Sequence, residues 1–311
     1  MTDRATAVVT TTIHVPRLLE GYLENAARYG HRGVLWVIAG DRKTPDRAVE
    51  DLLAGLRRRF GEEMIFFPAA RQEEAFAAHR DLLAHLPWNV IQRRNLSTLY
   101  AYQQGAEVIV TIDDDNFVRE GDYLGAHSVV GRRAALESFA SDSGWFNVCR
   151  FLEERTAFPF YPRGYPMGAR WKDGDYRARQ AEGRLAVNAG LWLGVPDVDA
   201  LTHLYKELRV ERYAREANFA LEPGTWAPFN SQNTALAREV IPAYFLSPAI
   251  GRYDDIWAAY VVRAISDHLG DRVSYGFPLV AQERNPHDFF RDFENEQAGM
   301  RLSDALCAFL R

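Results

Sequence analysis

The first third of the chain alternates between short apolar segments and longer amphipathic ones. The strand-like segments are AVVTTTI, GVLWVIAG, EMIFF and EVIVTI, and helix-like segments such as PRLLEGYLENAARY, PDRAVEDLLAGLRRRF and NLSTLYAYQQGA separate them. This alternation predicts an α/β fold in which helices cover a parallel sheet. Ligands bind at the carboxyl ends of the strands in such sheets, and TTTIHVP, AGDRKTP and DDDN fall there. Three loops are therefore expected to meet at one crevice.

The length allows one large or two small domains, and the lack of an internal repeat, low-complexity tract or obvious linker favours one. With 311 residues, 47% of them hydrophobic, the chain can bury a sizeable core. We expect one elaborated domain over 1–311, with a nucleotide-binding half at 1–117 and an acceptor- or sugar-binding half at 118–311. Cys149 and Cys307 are too few for a disulfide framework or a cysteine zinc site, so any metal would use oxygen or imidazole ligands.

Charge and hydropathy exclude several classes of protein. A formal net charge of −5 argues against a general nucleic-acid binder. No run approaches the ~18 consecutive apolar residues of a membrane span, and residues 1–17 do not resemble a secretory signal. We therefore expect a cytoplasmic protein that contacts no membrane.

The pattern loosens from about Asn147 onwards. The segment FPFYPRGYPMGARWKDGDYRAR shows neither a helical nor a strand period, which is typical of a functional loop or of a flexible insertion. Regular patterns return with LAVNAGLWLGVPD and RYDDIWAAYVVRAISDHLG. The chain is expected to close with a short helix over SDALCAFL, capped by Ser303.

Three aspartates, Asp113, Asp114 and Asp115, directly follow the apolar run EVIVTI. Like charges at the mouth of a core strand repel each other, which suggests that a cation meets them. In an extended backbone alternate side chains share a face, so Asp113 and Asp115 would point together and Asp114 away. Two such carboxylates suit Mn²⁺ or Mg²⁺ bound to substrate phosphates. The alternative is an exposed acidic turn, since Asp and Asn are common turn residues.

Several motifs in order resemble a known family. VIVTIDDDNFV, RGYPMGAR, AGLWLGVPDVDALT and GRYDDIWAAYVVRAISDHLG are similar to successive signatures of the reversibly glycosylated polypeptides, which include the plant UDP-arabinopyranose mutases. GDRKTP and RRNLSTLYAYQQGA are also similar to STELLO-type Golgi proteins. The resemblance implies a GT-A glycosyltransferase-like fold, a Rossmann-like mixed sheet flanked by helices. It also implies a site for a divalent metal and a nucleotide sugar, and reversible transfer of the sugar to an arginine of the enzyme.

A basic pair and several polar residues are candidates for nucleotide-sugar binding. Arg93 and Arg94 precede a helix, and a guanidinium can bind a phosphate through two parallel donors. The alternative is that one or both arginines only solvate a surface. Asp41 could accept hydrogen bonds from a base or ribose, and threonine hydroxyls at the end of the first strand could contact the base. The full candidate set is Thr11, Thr12, Asp41, Arg93, Arg94, Asn95, Asp113 and Asp114.

Arg163 and Arg170 frame the motif RGYPMGAR. The resemblance implies that Arg163 is the self-glycosylated residue and Arg170 the family's second required arginine. An arginine is a poor nucleophile, because it is protonated at neutral pH, so it must lose a proton or attack an activated donor. Otherwise an arginine in such a loop is expected to bind the diphosphate.

Asp254 and Asp255 in GRYDDIW are the candidate carboxylates that assist Arg163, with Asp255 preferred. They stand at the apparent start of a helix, where a capping role is the alternative. The third candidate metal ligand, beside Asp113 and Asp115, is His287. A tryptophan–histidine pair of the plant family is replaced here by Ala281 and Gln282, so His287 is the substitute to test; a surface or packing role is the alternative.

The sequence predicts a Mn²⁺- or Mg²⁺-dependent enzyme that acts on a nucleotide sugar, a UDP-sugar before others. A pyranose/furanose mutase that works through reversible glycosylation of Arg163 is the first reading. A glycosyltransferase that delivers the sugar to an external acceptor is the second, and a catalytically silent nucleotide-sugar binder is the third. A homo-oligomer is compatible with each.

Overall fold

A computed structural model describes residues 5–172, 174–283 and 288–311, and this part of the chain is organised around one mixed sheet. The strands of the described residues are β1 (Thr6–Thr11), β2 (Leu35–Ala39), β3 (Glu63–Phe67), β4 (Val108–Ile112), β5 (Asn116–Val118), β6 (Arg133–Ser141), β7 (Leu152–Glu154), β8 (Tyr176–Gly194), β9 (Val210–Tyr213), β10 (Phe219–Leu221), β11 (Asn233–Ala237) and β12 (Arg272–Gln282). The sheet order is β3-β2-β1-β4-β11-β8-β6-β10-β12-β5, and β7 joins β8 through β9.

The helices flank this sheet. They are α1 (Leu19–Arg28), α2 (Asp46–Phe60), α3 (Ala69–Ala75), α4 (Arg80–His85), α5 (Arg94–Gln103), α6 (Tyr123–His127), α7 (Ala200–Tyr205), α8 (Asp254–Leu269) and α9 (Phe289–Leu310). The expected α/β architecture, a Rossmann-like mixed sheet flanked by helices, is confirmed. The division into a nucleotide-binding half and a sugar-binding half stays a prediction.

The first four strands in the sheet order are parallel, as the alternating sequence predicts. Val8 of β1 lies opposite Trp36 of β2 on one side and Val110 of β4 on the other. Every residue of β1 and β4 is buried. Strands covered on both faces have near-continuous apolar sequences, which explains AVVT and VIVTI. The loops after β1, β2 and β4 consequently open at the same edge of the sheet.

The second half adds both antiparallel and parallel strand pairs to this sheet. Strand β11 pairs antiparallel with β4, and the 19-residue β8 pairs in parallel with β12. The short strand β5, immediately after the three aspartates, pairs antiparallel with the end of β12, where Asn116 lies opposite Gln282. This pairing places the acidic turn beside the end of β12, where the Glu283 N–H donates to the carbonyl of Asp115 (3.1 Å).

Two expectations for the second half are corrected. The segment FPFYPRGYPMGARWKDGDYRAR is expected to lack any regular period, but its end, from Tyr176 onwards, belongs to β8. Within the same segment, Tyr165 is buried in an aromatic cluster with Trp145, Trp226 and Tyr260. The terminal helix α9 is much longer than expected. Ser303 lies inside it and donates to the carbonyl of Gly299 (2.7 Å), so it is not a cap. A serine followed by apolar residues, as in SDAL, is found both at the start of a helix and inside one, so this motif alone does not locate the helix start.

Candidate active site

A cavity of about 290 Å³ opens at the carboxyl ends of β1, β2 and β4. Ten of the sequence-predicted site residues line it, and they come from every motif with candidate site residues described above except the one that contains His287. They are Thr11, Thr12, Asp41, Arg94, Asp113, Asp114, Asp115, Arg163, Asp254 and Asp255. His287, the remaining candidate metal ligand, lies outside the described residues.

The three aspartates follow the end of a strand and do not continue it. Strand β4 ends at Ile112, and Asp114 and Asp115 occupy the turn before β5. The expected alternation, with Asp114 pointing away, is therefore wrong, because a turn does not keep the two-residue period of a strand. All three carboxylates line the cavity. Asp114 Oδ2 accepts a hydrogen bond from the Thr12 hydroxyl (2.5 Å), and Asp115 Oδ1 accepts one from the Asn116 amide (2.9 Å).

Arg94 is held by protein groups at the wall of the cavity. It is 1% exposed, and its guanidinium donates to Asp113 and to the carbonyl (2.8 Å) and hydroxyl (2.5 Å) of Ser231. These bonds fix Asp113, the first aspartate of the turn. They also occupy donors on both terminal nitrogens of Arg94, so the geometry favours a positioning role over direct phosphate contact.

Arg93 and Asn95 lie behind the cavity wall. The Arg93 guanidinium stacks on the ring of Trp88 at 3.3 Å, and burial lowers the pKa of Arg93. The Asn95 amide donates to the carbonyl of Leu246 (2.8 Å) and accepts from its backbone N–H (3.1 Å). Neither side chain lines the described cavity, because the first turn of α5 directs Arg94 towards the acidic turn and its neighbours into packing contacts.

Asp41 and the threonines stabilise the other side of the cavity. Asp41 Oδ2 accepts from the backbone N–H groups of Asn89 (2.7 Å) and Val90 (3.2 Å), which ties the loop after β2 to the chain before α5. The Thr11 hydroxyl donates to the carbonyl of Ala39 (2.9 Å). These contacts place the three strand-end loops around one opening, as expected.

Arg163 is clamped between two carboxylates. Its Nε donates to Asp197 Oδ1 (2.9 Å), and Nη1 and Nη2 donate to the two oxygens of Asp255 at 3.1 Å each. Nη1 also donates to the carbonyl of Arg252. Although burial opposes the charge, these carboxylates raise the pKa of Arg163 well above its ordinary value.

Backbone contacts hold Arg163 in this position. The next residue, Gly164, has φ +87° and accepts a hydrogen bond at its carbonyl from the Tyr260 hydroxyl (2.6 Å). A Cβ at position 164 would lie 2.3 Å from Cγ2 of Ile256. Glycine is required here for both reasons, and this explains the RG pair in the motif.

Helix α8 begins with Asp254 and Asp255, as expected. Asp255 also accepts from the Ser231 backbone N–H (3.1 Å), while Asp254 accepts from the Gln92 amide (2.8 Å). Burial, reinforced by the adjacent charge of Asp255, raises the pKa of Asp254 to about 7. The pair therefore combines one carboxylate bound to Arg163 with a second that takes up a proton near neutral pH.

Arg170 is not brought to the cavity. Its Nη2 donates to Asp199 Oδ2 at 2.5 Å, and Asp199 in turn caps α7 by accepting from the Thr202 N–H (2.9 Å). The side chain therefore links the loop of Arg163 to helix α7 in this structure.

Sequence reasoning missed several residues that complete the site. Asp197 follows the apolar run of β8, and Arg252 precedes the acidic pair, where the sequence offered only the motifs VPD and GRYDD as signals. The Gln232 amide donates to Asn116 (3.0 Å) and Gln282 (3.2 Å). Gln282, expected only as a departure from the family pattern, thus lines the cavity beside the acidic turn.

The donor set fits a metal that is shared with a bound substrate. Seven aspartates and three arginines line the cavity, so a diphosphate would meet an excess of negative charge without a cation. Carboxylate oxygens are the ligands that Mg²⁺ and Mn²⁺ prefer, commonly one or two together with substrate phosphates. Among the described residues, no group of three or more His, Cys, Asp or Glu side chains forms a complete metal site. Such a set of carboxylates therefore suits a cation that is also bound to the phosphates of a substrate.

Sequence comparison decides the family. Residues 104–311 match the family model described as reversibly glycosylated polypeptide. The chain belongs to this family. It is 33% identical over 188 residues to UDP-arabinopyranose mutase 3 of Arabidopsis thaliana, covering 58% of this chain and 48% of the relative. It is 34% identical over 209 residues to the probable UDP-arabinopyranose mutase 2 of Solanum tuberosum, covering 65% and 53%. The chain spans about half the length of the curated relatives it matches.

Solved structures that superpose on this one include glucosyl-3-phosphoglycerate synthase from Mycobacterium tuberculosis in complex with Mn²⁺, UDP and phosphoglyceric acid. The TM-score is 0.47 at 13% identity, over 98% of this chain and 79% of that one. A mycobacterial protein gives a TM-score of 0.46 at 11% identity, over 98% and 75%. Separately, none of the described helices combines the length and apolar character needed to cross a membrane.

Proposed function

We propose that this family member is a metal-dependent UDP-sugar mutase that interconverts pyranose and furanose forms through reversible glycosylation of Arg163. The observation that carries the proposal is the convergence of Arg163, the acidic turn and the pair Asp254–Asp255 on one cavity. Family membership and the names of the relatives, UDP-arabinopyranose mutases, supply the substrate class.

The acidic turn would hold Mn²⁺ or Mg²⁺ through Asp113 and Asp115, with His287 as the further candidate ligand. When bound, the cation supplies positive charge that stabilises the departing diphosphate. Arg94 keeps Asp113 in place, and the Thr12 hydroxyl does the same for Asp114. Thr11, Thr12 and Asp41 would face the nucleotide from the opposite wall.

The sugar would move to Arg163 in one displacement. A terminal nitrogen of Arg163 bonds to the anomeric carbon, and the bond from that carbon to the diphosphate oxygen breaks with its electron pair going to the diphosphate. The proton lost from the nitrogen passes to Asp255, whose oxygens lie 3.1 Å from Nη1 and Nη2. The sugar ring then opens and closes through another hydroxyl. Attack by the diphosphate restores the nucleotide sugar, and the proton returns to Arg163.

The raised pKa of Arg163 makes this proton transfer the demanding part of the reaction. Asp255 is suited to receive the proton because it touches both terminal nitrogens, whereas Asp197 touches only Nε. Asp254, close to half-protonated at neutral pH, limits the negative charge that collects beside Asp255. The second acidic pair therefore takes a catalytic role in the proposal, beyond its place at the start of α8.

The test is incubation of the protein with a panel of UDP-sugars and Mn²⁺, followed by peptide mass spectrometry and chromatography of the nucleotide sugars. We expect one sugar mass on the peptide with Arg163, its removal by excess UDP, and a furanose product. Arg163→Lys should abolish both signals, because lysine lacks the guanidinium. Arg184→Lys, at a partly exposed arginine outside the cavity, is the matched control and should change neither.

One observation favours a second function, transfer to an external acceptor. The three guanidinium nitrogens of Arg163 already donate to protein oxygens, and its pKa is raised, which opposes nucleophilic attack. In that reading Arg163 positions Asp255, and Asp255 takes the proton of an acceptor hydroxyl. Unlabelled wild-type protein that glycosylates an added acceptor would replace the mutase proposal by this one.

A further inference from the structure

The three arginines that line the cavity differ in how firmly their guanidinium groups are held. Arg94 and Arg163 have side chains only 1% and 9% exposed, and both donate to carboxylates and carbonyl oxygens of the cavity wall. The side chain of Arg252 is 30% exposed. It is therefore the cavity arginine with the greatest access to a ligand.

The contacts of Arg252 are long ones. Its Nε lies 3.3 Å from Glu296 Oε1 and its Nη1 lies 3.4 Å from Asp292 Oδ1, both on helix α9. Well-formed bonds between a guanidinium and a carboxylate measure about 2.7–2.9 Å, so these two are weak. The guanidinium can thus leave α9 at small cost.

The other basic candidates lie outside the lining of the cavity. Arg93 is stacked on Trp88, and Arg170 is bonded to Asp199; neither lines the cavity. A diphosphate carries charge that planar guanidinium donors match through two parallel bonds. Among the described residues of the cavity, Arg252 is the one whose donors can meet it without breaking a close ion pair.

We propose that Arg252 binds the diphosphate of the nucleotide, moving its guanidinium from Asp292 and Glu296 to the phosphate oxygens. This rests on the proposed function, since it names the phosphate contact of the same site. The backbone of Arg252 adds a connection, because its carbonyl accepts from Nη1 of Arg163. One residue thus contacts the leaving diphosphate through its side chain and the attacking guanidinium through its backbone.

The test is calorimetric titration of the wild type and Arg252→Gln with Mg²⁺ plus UDP, Mg²⁺ plus pyrophosphate, and uridine. We expect Arg252→Gln to lower affinity for UDP and pyrophosphate at least about tenfold and to leave uridine binding unchanged. Arg184→Gln is the matched control. Its side chain is 28% exposed and forms two ion pairs, but lies outside the cavity, so its affinities should equal those of the wild type.

A second variant separates ligand binding from a structural role. Glu296→Gln weakens the hold of α9 on Arg252, and its amide oxygen can still accept from the Ala200 N–H. We expect it to keep or raise the affinity for pyrophosphate. If Glu296→Gln and Arg252→Gln both lower that affinity, Arg252 only fastens α9, and the inference is wrong.

The remaining outcomes distinguish this inference from the proposed function. A wild type that binds UDP and pyrophosphate while Arg252→Gln binds them equally well overturns the inference and leaves the proposed function standing. A wild type that binds neither, with Mg²⁺ or Mn²⁺ present, removes the donor site itself, and both fall together.

Discussion

The carboxylate of Asp255 receives both terminal nitrogens of Arg163, at 3.1 Å each. This bidentate geometry fixes the plane of the guanidinium relative to helix α8, whose first turn carries Asp255. The same carboxylate accepts from the backbone N–H of Ser231, which lies in the loop before β11. Three separate segments of the chain therefore meet at one side chain.

Asp255→Asn should reduce self-labelling roughly 100- to 10,000-fold, the usual contribution of a general base. An amide can accept one bond from Arg163 but takes up no proton. Loss of a charged partner should also lower the free energy of unfolding by about 1.5–3 kcal/mol. Rates are measured with radiolabelled donor, and stability by urea unfolding. Exposed Asp304→Asn is the control, and a labelling rate equal to that of the wild type in Asp255→Asn would exclude the base role.

Asp254 should make stability depend on pH. Its pKa is raised from an ordinary 3.8 to about 7 by burial and by Asp255, so the folded state binds a proton that the unfolded state releases. This contribution is fully present below about pH 4 and is lost as pH rises through about 7. Asp254→Asn does not ionise there, so its stability relative to the wild type should increase from pH 4 to pH 8. A constant difference across that range would contradict the raised pKa.

Asp115→Asn should preserve the fold and reduce metal-dependent turnover roughly a hundredfold or more, because a bound cation contributes several kcal/mol of charge stabilisation. UDP binding should lose its dependence on Mn²⁺. Titrations with and without Mn²⁺ measure this, and exposed Asp142→Asn is the control. Full activity with an unchanged response to Mn²⁺ would place the metal elsewhere.

Gly164→Ala should destabilise the protein and displace Arg163. The left-handed backbone costs about 1–2 kcal/mol for an L-residue, and the overlap with Ile256 adds roughly 1–3 kcal/mol. Gly105→Ala is matched in conformation, with φ +85° and nothing within 4 Å of the added Cβ, so it should show the first cost alone. Equal unfolding free energies for the two variants would show that the contact with Ile256 relaxes freely.

The sequence predicts those parts of the fold that depend on local pattern. Strand β4 and the start of α8 at Asp254 are predicted because a buried parallel strand and an acidic helix start each leave a signature within a few residues. The turn at Asp114 breaks the strand period. The aspartates are its only local sequence signal, and they suit a metal-binding strand end as well as a turn.

Contacts between distant segments could not be read in the same way. The pairing of Asp197 with Arg163 joins residues 34 apart, and that of Gln92 with Asp254 joins residues 162 apart. Arg170 shows the converse. The motif places it near Arg163 in sequence, yet its charge is taken by Asp199 at the start of α7. Which of several nearby carboxylates binds an arginine depends on the packing of whole elements.

The excess of aspartates over arginines in the cavity wall has a kinetic consequence. A nucleotide diphosphate without a cation would be repelled on approach by the excess of carboxylates. A complex of the nucleotide with its cation carries less negative charge and is repelled less. Metal and nucleotide are therefore expected to enter the cavity as one complex. Raised salt should accelerate the encounter of a nucleotide that arrives without a cation, because it screens the repulsion.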